Sequence, residues 1–424
     1  MIDINLLRTN PEIVKDSQRK RDADISIVDK VLSADKKWRV LKGEVDELRA
    51  ERNKLGEEIG KLKKKGENPV DLLNRVSIIS DKINKQEEEL AVLEKNRDTL
   101  LIEIPNILHE SVPQGKDETE NIEIRRVEKL PKFAFKPKDH IDLGLALDLF
   151  DTDAAAKTSG ARFYFLKNEA VLLELALVQY AIDFLAKKQG FTPVIVPDLV
   201  KERTMYGAGM LPHSRDEIFK IENHDLYLIL TSEHAIAGIH MDETFNPEDL
   251  PKRYTGFSTC FRTEAGAHGR DTKGIFRVHQ FDKVEMFIFC KPEESWKEHE
   301  LLLKNAEQLV KGLELPYRVM NICTGDIGKV AAKKYDIDAW MPGQNAYREI
   351  ISCSNCTDFQ ARRLNIRVSR GMKTDVIHTL NSTALAIGRT IVAILENYQN
   401  KDGSITMPKV LQKYAGIKKI GPRK

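Results

Sequence analysis

The sequence predicts an α+β fold with a mainly antiparallel sheet flanked by helices, preceded by an antiparallel helical coiled-coil hairpin. Two observations lead to this prediction. A seven-residue rhythm of apolar residues runs twice through the first hundred residues, and short runs of β-branched and aromatic residues fill much of the rest. With 424 residues, 41% of them hydrophobic, the chain is long enough for two or three domains with a sizeable buried core.

The charge balance and the cysteine content exclude several kinds of protein. Lys and Arg number 67 against 65 Asp and Glu, so a nucleic-acid partner would have to be recognised by where the charge lies. Five cysteines are few and odd in number, which favours a reducing, cytoplasmic compartment over a disulfide framework. No run reaches the roughly 18 apolar residues of a membrane span, so we expect no membrane partner.

The first domain is predicted to be dominated by a long helical arm. Apolar residues alternate steps of three and four over residues 31–62 and again over 72–100, which is coiled-coil spacing. The stretch KKKGENP breaks the helix between the two runs. Two helices of about 32 residues joined by so short a turn must pack antiparallel, giving an arm about 50 Å long. We place the arm at about 29–102, within a domain of residues 1–108.

Basic residues crowd the outer half of the first arm helix and the turn that follows it. A solvated helix face would explain such a run of charge about as well as a nucleic-acid-binding face would. The residues are Arg49, Arg52, Lys54, Lys61, Lys63, Lys64 and Lys65.

A polar segment without periodicity predicts a linker over 109–130, followed by a second domain at 131–424. The first long helix of that domain should run from about Asn168 to Gln189 and end at Gly190. It is apolar nearly all round and is therefore expected to be deeply packed. The strand candidates that follow are FTPVIVP, LYLIL, RYTGFSTCFR, IFRVHQFDKVEMFIFC and YRVMNIC.

The stretch 261–285 places charges inside otherwise apolar strands. Residues two apart on a strand share a face, so charged and aromatic side chains should gather on one side of a hairpin. Such a set suits a nucleotide because guanidinium groups neutralise phosphate oxygens while a ring stacks on the base. An ordinary hairpin with cross-strand salt bridges is the alternative. The expected groups are Arg262 with Glu264 and, on the second strand, Arg277 with His279 and Phe281.

The loop between these two strands, residues 265–274, is polar and rich in glycine. It is too polar to be core, and its glycines and basic residues suit a mobile flap over a ligand. Nowhere does the chain show a dinucleotide fingerprint or a Walker lysine motif, so a nucleotide site must belong to another architecture.

A second polar cluster lies in YREIISCSNC. Glu349 and Ser352 offer the hard oxygen ligands that Mg²⁺ accepts beside phosphates. The pair Cys353 and Cys356 suggests zinc only weakly, because a structural zinc needs four ligands and no second pair follows. We expect packed or incidental cysteines here.

Two further polar clusters sit where a strand meets a helix. Thr231, Ser232 and Glu233 precede an apolar-periodic run, for which simple N-capping is an equally good explanation. The residues from Asn381 to Ala384 lead into an apolar helix whose Arg389 is poorly explained by packing.

These residues together resemble the seryl-tRNA synthetase family of class II aminoacyl-tRNA synthetases, in its bacterial type, over essentially the whole chain. The helix ending at Gly190 with GFTPVIVPDLV resembles the family's first motif, at the dimer interface. The 261–285 stretch resembles the second motif, and LNSTALAIGRTIVAILEN the third. The NSTA version of the third motif differs from the Gly-Ser-Gly version of many members, which bears on the shape of the pocket.

The resemblance implies specific roles for single residues. Arg262 would grip the ATP α-phosphate, and Glu264 would face the adenine. Phe281 would stack on one face of the adenine ring, and Arg389 would lie on the other face of that ring. The implied catalytic residues are Arg262 and Arg389. The implied ATP-binding residues are Arg262, Thr263, Glu264, Arg277, Val278, Phe281, Glu349, Ile350, Ile351, Ser352 and Arg389.

The implied serine pocket includes residues close to the hydroxyl of the amino acid, namely Glu285 and Thr383. Mg²⁺ would lie on Glu349 and Ser352, and no zinc is expected. The implied serine-binding residues are Thr231, Ser232, Glu233, Arg262, Glu285, Asn381 and Thr383.

The implied activity is serine–tRNA ligation, in which ATP and L-serine give seryl-adenylate and the seryl group passes to tRNA(Ser). tRNA(Sec) is a second candidate substrate, and the implied assembly is a cytoplasmic homodimer whose arm binds the tRNA. Two alternatives stand beside this one. A class II paralogue that activates an amino acid without charging tRNA should lack the arm, and a non-catalytic scaffold would let the site residues drift.

Overall fold

The structure is a computed structural model that describes residues 1–127, 129–265 and 273–422. It forms two compact units, Met1–Ile107 and Leu108–Lys424. Among the described helices, none combines the length and the apolar character that crossing a membrane requires.

The first unit is built around the predicted antiparallel hairpin, which the structure confirms. Leu55, Ile79 and Ile83 are buried in the seam between its two long helices. Ion pairs between Arg49 and Glu87 and between Arg75 and Glu51 join the helices in antiparallel order. The helices of this unit are α1 (Ile4–Thr9), α2 (Pro11–Lys20), α3 (Ser26–Lys64) and α4 (Val70–Ile102).

The second unit is an α+β domain, as predicted. Its described helices are α5 (His140–Ala146), α6 (Thr152–Thr158), α7 (Glu169–Gln189), α8 (Glu202–Ala208), α9 (Ser232–Ala237), α10 (Ser295–Gly312), α11 (Phe359–Leu364), α12 (Ile387–Asn397) and α13 (Lys409–Ala415). Its described strands are β1 (Ile122–Val127), β2 (Phe150–Asp151), β3 (Phe165–Leu166), β4 (Thr192–Ile195), β5 (Leu199–Val200), β6 (Tyr227–Leu228), β7 (Thr244–Phe245), β8 (Lys252–Phe261), β9 (Gln280–Cys290), β10 (Tyr317–Asn321), β11 (Lys333–Met341), β12 (Ala346–Asn355), β13 (Arg367–Arg370), β14 (Lys373–Val376), β15 (His378–Ala386), β16 (Ile405–Thr406) and β17 (Lys419–Ile420).

The main sheet of this unit has the strand order β1-β10-β11-β12-β15-β9-β8-β4. Neighbouring strands are antiparallel except β4 and β8, which pair in parallel. The central strand β9 shows how the sheet separates core from site. Val284, Met286 and Ile288 pack into the main core with α7, α10 and α12, so the residues between them face the other side.

The segment expected to be a linker is partly built into the second unit. Residues 122–127 form β1, which pairs with β10 at the sheet edge. Upstream of this strand, the backbone N–H of Gly115 donates to Thr324 Oγ1 at 3.1 Å. Part of the segment predicted as a linker over 109–130 is thus hydrogen-bonded to the second unit, and residues 122–127 are a strand of its main sheet.

Helix α7 has the predicted extent but not the predicted burial. Gly190 ends it in the left-handed conformation, at φ +72°. Leu173 and Leu177 are fully buried, whereas Leu172 and Leu175 are 42% and 62% exposed. One apolar face packs on the core and the other is left uncovered by the described residues, so an all-round apolar pattern did not mean deep packing.

Candidate active site

A cavity of about 560 Å³ lies on the side of the sheet opposite the main core. Its wall combines residues from β9, β12 and β15, the starts of α9 and α12, and both ends of the connection between β8 and β9. The predicted site residues that line it are Thr231, Glu233, Arg262, Glu264, Arg277, Val278, Phe281, Glu285, Glu349, Ile350, Ser352, Asn381, Thr383 and Arg389.

Three predicted residues are not part of this lining. Ser232 is fully buried and its Oγ donates to the carbonyl of Gly256 at 3.3 Å. The Thr263 hydroxyl donates to the backbone carbonyl of Asp216. Ile351 belongs to the main core. Each of these residues adjoins a lining residue in sequence, and its side chain is used in packing or backbone hydrogen bonds.

Arg262 lies just beyond the end of β8 and is held there by His279. The Arg262 N–H donates to the His279 carbonyl, and the Arg262 carbonyl lies 2.9 Å from His279 Nδ1. The Arg262 guanidinium lies 5.2 Å from the centre of the Phe281 ring. Because β9 begins only at Gln280, the expectation that Arg277 and His279 share a strand face with Phe281 is wrong. A loop, not a strand, presents Arg277 to the cavity.

Glu264 is paired with Arg277, whose Nε lies 2.5 Å from Glu264 Oε2. This is the cross-hairpin ion pair that the simpler explanation of the segment required. Both residues nevertheless line the cavity, so the pair belongs to the site. The predicted flap at 265–274 lies largely outside the described residues.

We name Arg277, Glu349 and Arg389 the outer cluster, because 43%, 48% and 25% of their side chains are exposed. Arg389 Nη1 donates to the Glu349 carbonyl at 2.9 Å and lies 3.4 Å from Glu349 Oε2. The Arg389 guanidinium also lies 5.0 Å from the Phe276 ring centre. Partial desolvation in the cavity opposes ionisation of Glu349, but attraction to Arg389 and Lys334 outweighs this effect and lowers the Glu349 pKa.

A β-bulge brings Glu349 and Ser352 to one face of β12. Residues three apart normally face opposite sides of a strand. Here Ile337 pairs with Ile351 while the next residue, Asp338, pairs with Glu349, so Ile350 is an extra residue. The bulge reverses the alternation, and both oxygen-bearing side chains line the cavity.

The two oxygen-bearing side chains fit a magnesium ion. Ser352 also hydrogen-bonds Asp336, whose pKa burial raises to about 7, against the attraction of Lys334. Within the described ranges, no group of three or more His, Cys, Asp and Glu side chains could hold a metal ion by itself. Mg²⁺ commonly takes one or two protein oxygens and completes its shell with phosphates and water, which agrees with this sparse donor set.

Cys353 and Cys356 are both buried in the interior of the second unit. Cys353 is fully buried in the main core. Cys356 is 1% exposed, and Asn381 Nδ2 donates to its Sγ at 3.5 Å. Burial raises the pKa of both thiols.

We name Glu233, Lys283, Glu285, Asn381 and Thr383 the inner cluster. Glu233 Oε1 accepts from Asn381 Nδ2 at 3.1 Å and from a neighbouring glutamine amide at 2.8 Å. Burial and repulsion from Glu285 raise the pKa of Glu233 to about 7. The start of α9 places this side chain, since the Thr231 hydroxyl accepts from the Glu233 N–H at 3.2 Å. The predicted N-cap is therefore present, and it orients a cavity residue.

Glu285 is the most enclosed carboxylate of the inner cluster. Its Oε2 lies 2.6 Å from Lys283 Nζ, and the side chains are 2% and 8% exposed. Thr383 Oγ1 donates to the same oxygen at 3.4 Å. Thr383 and Glu285 are cross-strand partners on β15 and β9. The inner cluster thus combines two acids and a cation in a space that excludes most water.

Sequence reasoning missed several residues that line the cavity. Lys283 carried a signal, because it lies two residues before Glu285 inside an apolar strand and so shares its face. Phe276, His234 and Lys334 carried none, since their roles depend on neighbours distant in sequence. Gly209 and Met210, which follow α8, also contribute to the wall and carried no such signal.

The site has Arg262 just beyond a strand end, with its guanidinium over the Phe281 ring, and Arg389 at a helix start, with its guanidinium over the Phe276 ring. This arrangement on an antiparallel sheet suits ATP held by its phosphates and base. The fold and site define a class II aminoacyl-tRNA synthetase. Residues 218–398 match the family described as tRNA synthetase class II core domain (G, H, P, S and T), and residues 1–108 match the Seryl-tRNA synthetase N-terminal domain.

Individual relatives identify the family within the class II aminoacyl-tRNA synthetases. The chain is 51% identical to the serine–tRNA ligase of Pyrococcus horikoshii, over 100% of this chain and 98% of that protein. It is 51% identical to that of Methanoregula boonei, over 98% of each chain. The chain belongs to the seryl-tRNA synthetase family. These relatives are archaeal, so the expected bacterial type has no support among them.

Solved structures agree with this family membership. The crystal structure of seryl-tRNA synthetase from Pyrococcus horikoshii complexed with ATP has a TM-score of 0.93 at 50% identity and covers 100% of both chains. The cytoplasmic serine–tRNA ligase of Naegleria fowleri in complex with AMP has a TM-score of 0.88 at 40% identity, covering 100% of this chain and 99% of that one.

Proposed function

We propose that this one cavity activates L-serine with ATP and transfers the seryl group to tRNA, with the outer cluster on the phosphates and the inner cluster on serine. The observation that carries the proposal is the separation of exposed cations from buried paired carboxylates within a single cavity. A nucleotide triphosphate needs several cations, whereas a small amino acid with an ammonium and a hydroxyl needs acceptors.

ATP would be bound by the residues around the β8–β9 hairpin. Arg262 would hold the α-phosphate, Arg277 the outer phosphates, and Glu264 the exocyclic amine of adenine. Phe281 would stack on the base, a role supported by its ring lying in the cavity wall with the planar Arg262 guanidinium 5.2 Å from its centre. Val278 would contribute backbone contacts. Thr263 and Ile351 would act through their backbone position only.

Serine would be bound by the inner cluster. Glu233 would accept from the serine ammonium together with Thr231, and Asn381 would fix the Glu233 carboxylate. Glu285 and Thr383 would bond the seryl hydroxyl. A site built to bond a hydroxyl rejects an analogue without it strongly, whereas an extra methyl group is excluded by shape at about 1 to 3 kcal/mol.

The chemistry needs no covalent protein nucleophile. The serine carboxylate attacks the α-phosphate, pyrophosphate leaves, and the ribose hydroxyl at the tRNA 3′ end then takes the seryl group from the adenylate. Arg262 stabilises the charge that develops on the α-phosphate, and the mutual hydrogen bonds with His279 keep it in place before the substrate arrives.

Glu349 and Ser352 would hold Mg²⁺ beside the phosphates. When bound, this ion neutralises phosphate charge and helps to orient the leaving pyrophosphate. Arg389 keeps the Glu349 carboxylate ionised by the attraction described above, so the ligand is in its charged form at neutral pH.

The arm would bind tRNA(Ser), and tRNA(Sec) is a second candidate. Lys61, Lys63, Lys64 and Lys65 are all exposed near the tip, where they can follow an RNA phosphate backbone. Replacing residues 41–93 with a short turn should leave adenylate formation intact and abolish tRNA charging.

A charge variant refines the arm experiment. Changing the four tip lysines to Gln should weaken tRNA binding, whereas changing the exposed acids Glu57 and Glu58 to Gln should not. Equal loss of pyrophosphate exchange and tRNA charging in the deletion would contradict the proposed division. The whole proposal is tested by serine-dependent pyrophosphate exchange with alanine and threonine as controls, followed by tRNA charging.

The exposed face of α7 would be a homodimer interface. Leu172 and Leu175 are joined there by Ile195, which is 84% exposed at the end of β4. Such apolar surface is typical of an interface. Leu175→Glu should give monomers in sedimentation velocity, with Lys188→Glu on the same helix as the control; a dimeric Leu175→Glu would contradict this assignment.

The compartment would be the cytoplasm, which is supported by five cysteines that are all buried and free of disulfides.

A further inference from the structure

Lys283 is buried in the cavity wall but has no role in the proposed binding of serine or ATP. It lies on β9 two residues before Glu285, and its cross-strand partners are Ser258 and Ala386. Only 8% of its side chain is exposed. A buried lysine that lines a substrate cavity at hydrogen-bond distance from a carboxylate is a feature to be explained.

The two carboxylate oxygens of Glu285 have different surroundings. Lys283 Nζ and Thr383 Oγ1 both contact Oε2, at 2.6 Å and 3.4 Å. Oε1 is therefore the oxygen that a substrate hydroxyl would bond. Fixing one carboxylate oxygen by two donors restricts the rotation of the group and sets the direction of the other oxygen.

The charge balance of the inner cluster depends on the same lysine. Two carboxylates, Glu233 and Glu285, face one small space, and like charges this close oppose ionisation of both. Lys283 attracts each of them. The other titratable groups that interact with these acids from the neighbouring elements are Arg262, Cys260, Cys353 and Cys356, and His234 interacts with Lys283 itself.

We propose that Lys283 is a positioning and specificity residue of the serine pocket, which fixes the Glu285 carboxylate through Oε2 and directs Oε1 to the seryl hydroxyl. The proposal rests on the proposed serine pocket. Without Lys283, Glu285 Oε2 keeps only the longer contact with Thr383, so the carboxylate can rotate and no longer favours serine over alanine as strongly.

The test compares Lys283→Met, Lys283→Gln and Lys283→Arg in pyrophosphate exchange over about pH 6 to 9. The two neutral variants should raise the KM for serine at least about thirtyfold at neutral pH, change the KM for ATP much less, and lower the serine-to-alanine preference. Because Lys283 lowers the pKa of Glu233, the pH midpoint of the serine KM should move upward in these variants, with partial recovery at the alkaline end. Lys283→Arg should keep the midpoint and most of the affinity.

Controls separate this proposal from the pocket assignment and from general damage. Lys291→Met removes a lysine just beyond the same strand and should behave like wild type. Glu285→Gln should raise the serine KM; if it does not, the serine pocket itself is misassigned. If it does and the folded neutral Lys283 variants leave the serine KM or its pH midpoint unchanged, only the lysine proposal fails.

Folding of the variants is read from thermal melting. If neither neutral variant folds, the kinetics of Lys283→Arg decide whether the proposal holds. A folded Lys283→Arg with a displaced midpoint or a serine KM raised more than about tenfold would overturn the proposal. Equal losses for serine and ATP in any folded variant would indicate a structural role only and would also overturn it.

Discussion

The outer and inner clusters share one cavity but are built by opposite means. The outer cations are partly exposed, with 43% of the Arg277 and 25% of the Arg389 side chain accessible. The inner acids are enclosed, and Glu285 is only 2% exposed. Partly exposed arginines keep their charge whatever their partner and can exchange carboxylate for phosphate as phosphates arrive and leave. Buried carboxylates must have partners in place, so the inner cluster is formed before serine binds.

The comparison predicts that damage to the two clusters will appear in different kinetic constants. Interactions that form only as charge develops on phosphorus affect kcat, whereas contacts to the bound amino acid affect the KM for serine.

The largest effect is expected from Arg262→Ala, which removes the cation nearest to the developing charge. The kcat of serine-dependent pyrophosphate exchange should fall by about 10² to 10³, as when one oxyanion donor is lost. The matched control is Arg203→Ala, because Arg203 pairs with Asp242 on the surface away from the cavity. Near wild-type exchange by Arg262→Ala would remove Arg262 from the reaction.

Glu233→Gln should produce the next largest effect, and this effect should appear in the KM for serine instead of in kcat. It keeps the shape of the side chain and the contact with Asn381 but loses the charge that faces the ammonium of serine. We expect the serine KM to rise by about thirtyfold with kcat changed much less. A fall in kcat with an unaltered serine KM would contradict the division between the clusters.

The pH dependence of the wild-type protein gives a smaller effect. The pKa of Glu233 is raised to about 7, so its carboxylate is protonated below that pH and ionised above it. Since the ionised form binds the ammonium, the serine KM should rise by about tenfold for each pH unit below the pKa and level off above it. Glu233→Gln is the control, and its serine KM should show no such rise at low pH. A serine KM independent of pH in the wild type would show that Glu233 does not meet the ammonium.

The smallest effect is expected from Phe281→Leu, which keeps an apolar side chain but removes the ring that would stack on adenine. The KM for ATP should rise by about fivefold, the lower end of the range for one stacking contact. Serine KM and kcat should change little. Phe133→Leu, which alters a ring in edge-to-face contact with Phe135 outside the cavity, serves as the control. An unchanged KM for ATP would place the base elsewhere.

Local sequence patterns predicted the arm and the main elements well, because their causes are local. The heptad spacing determines which residues form the seam, and Gly190 ends α7 through its own backbone freedom. The exposed face of α7 could not be predicted, since burial depends on what packs against a helix and an apolar pattern does not show it.

The site was predictable where a side chain faces the cavity by simple alternation, and less so elsewhere. The bulge at Ile350 reverses the alternation between Glu349 and Ser352, and no residue type in the strand announces it. Ser232 and Ile351 were predicted as binding residues because they adjoin other site residues, yet Ser232 at the start of α9 and Ile351 on β12 both turn into the protein interior. Lys283 was overlooked although it obeys alternation, because its partner Glu285 was assigned to the substrate alone.

A crystal structure with a non-hydrolysable seryl-adenylate analogue tests the central claim most directly. We predict that the seryl hydroxyl lies within hydrogen-bond distance of Glu285, the ammonium at Glu233, and the group replacing the α-phosphate at Arg262. A seryl group bound outside the inner cluster, or an analogue whose phosphate mimic makes no contact with Arg262, would contradict the account.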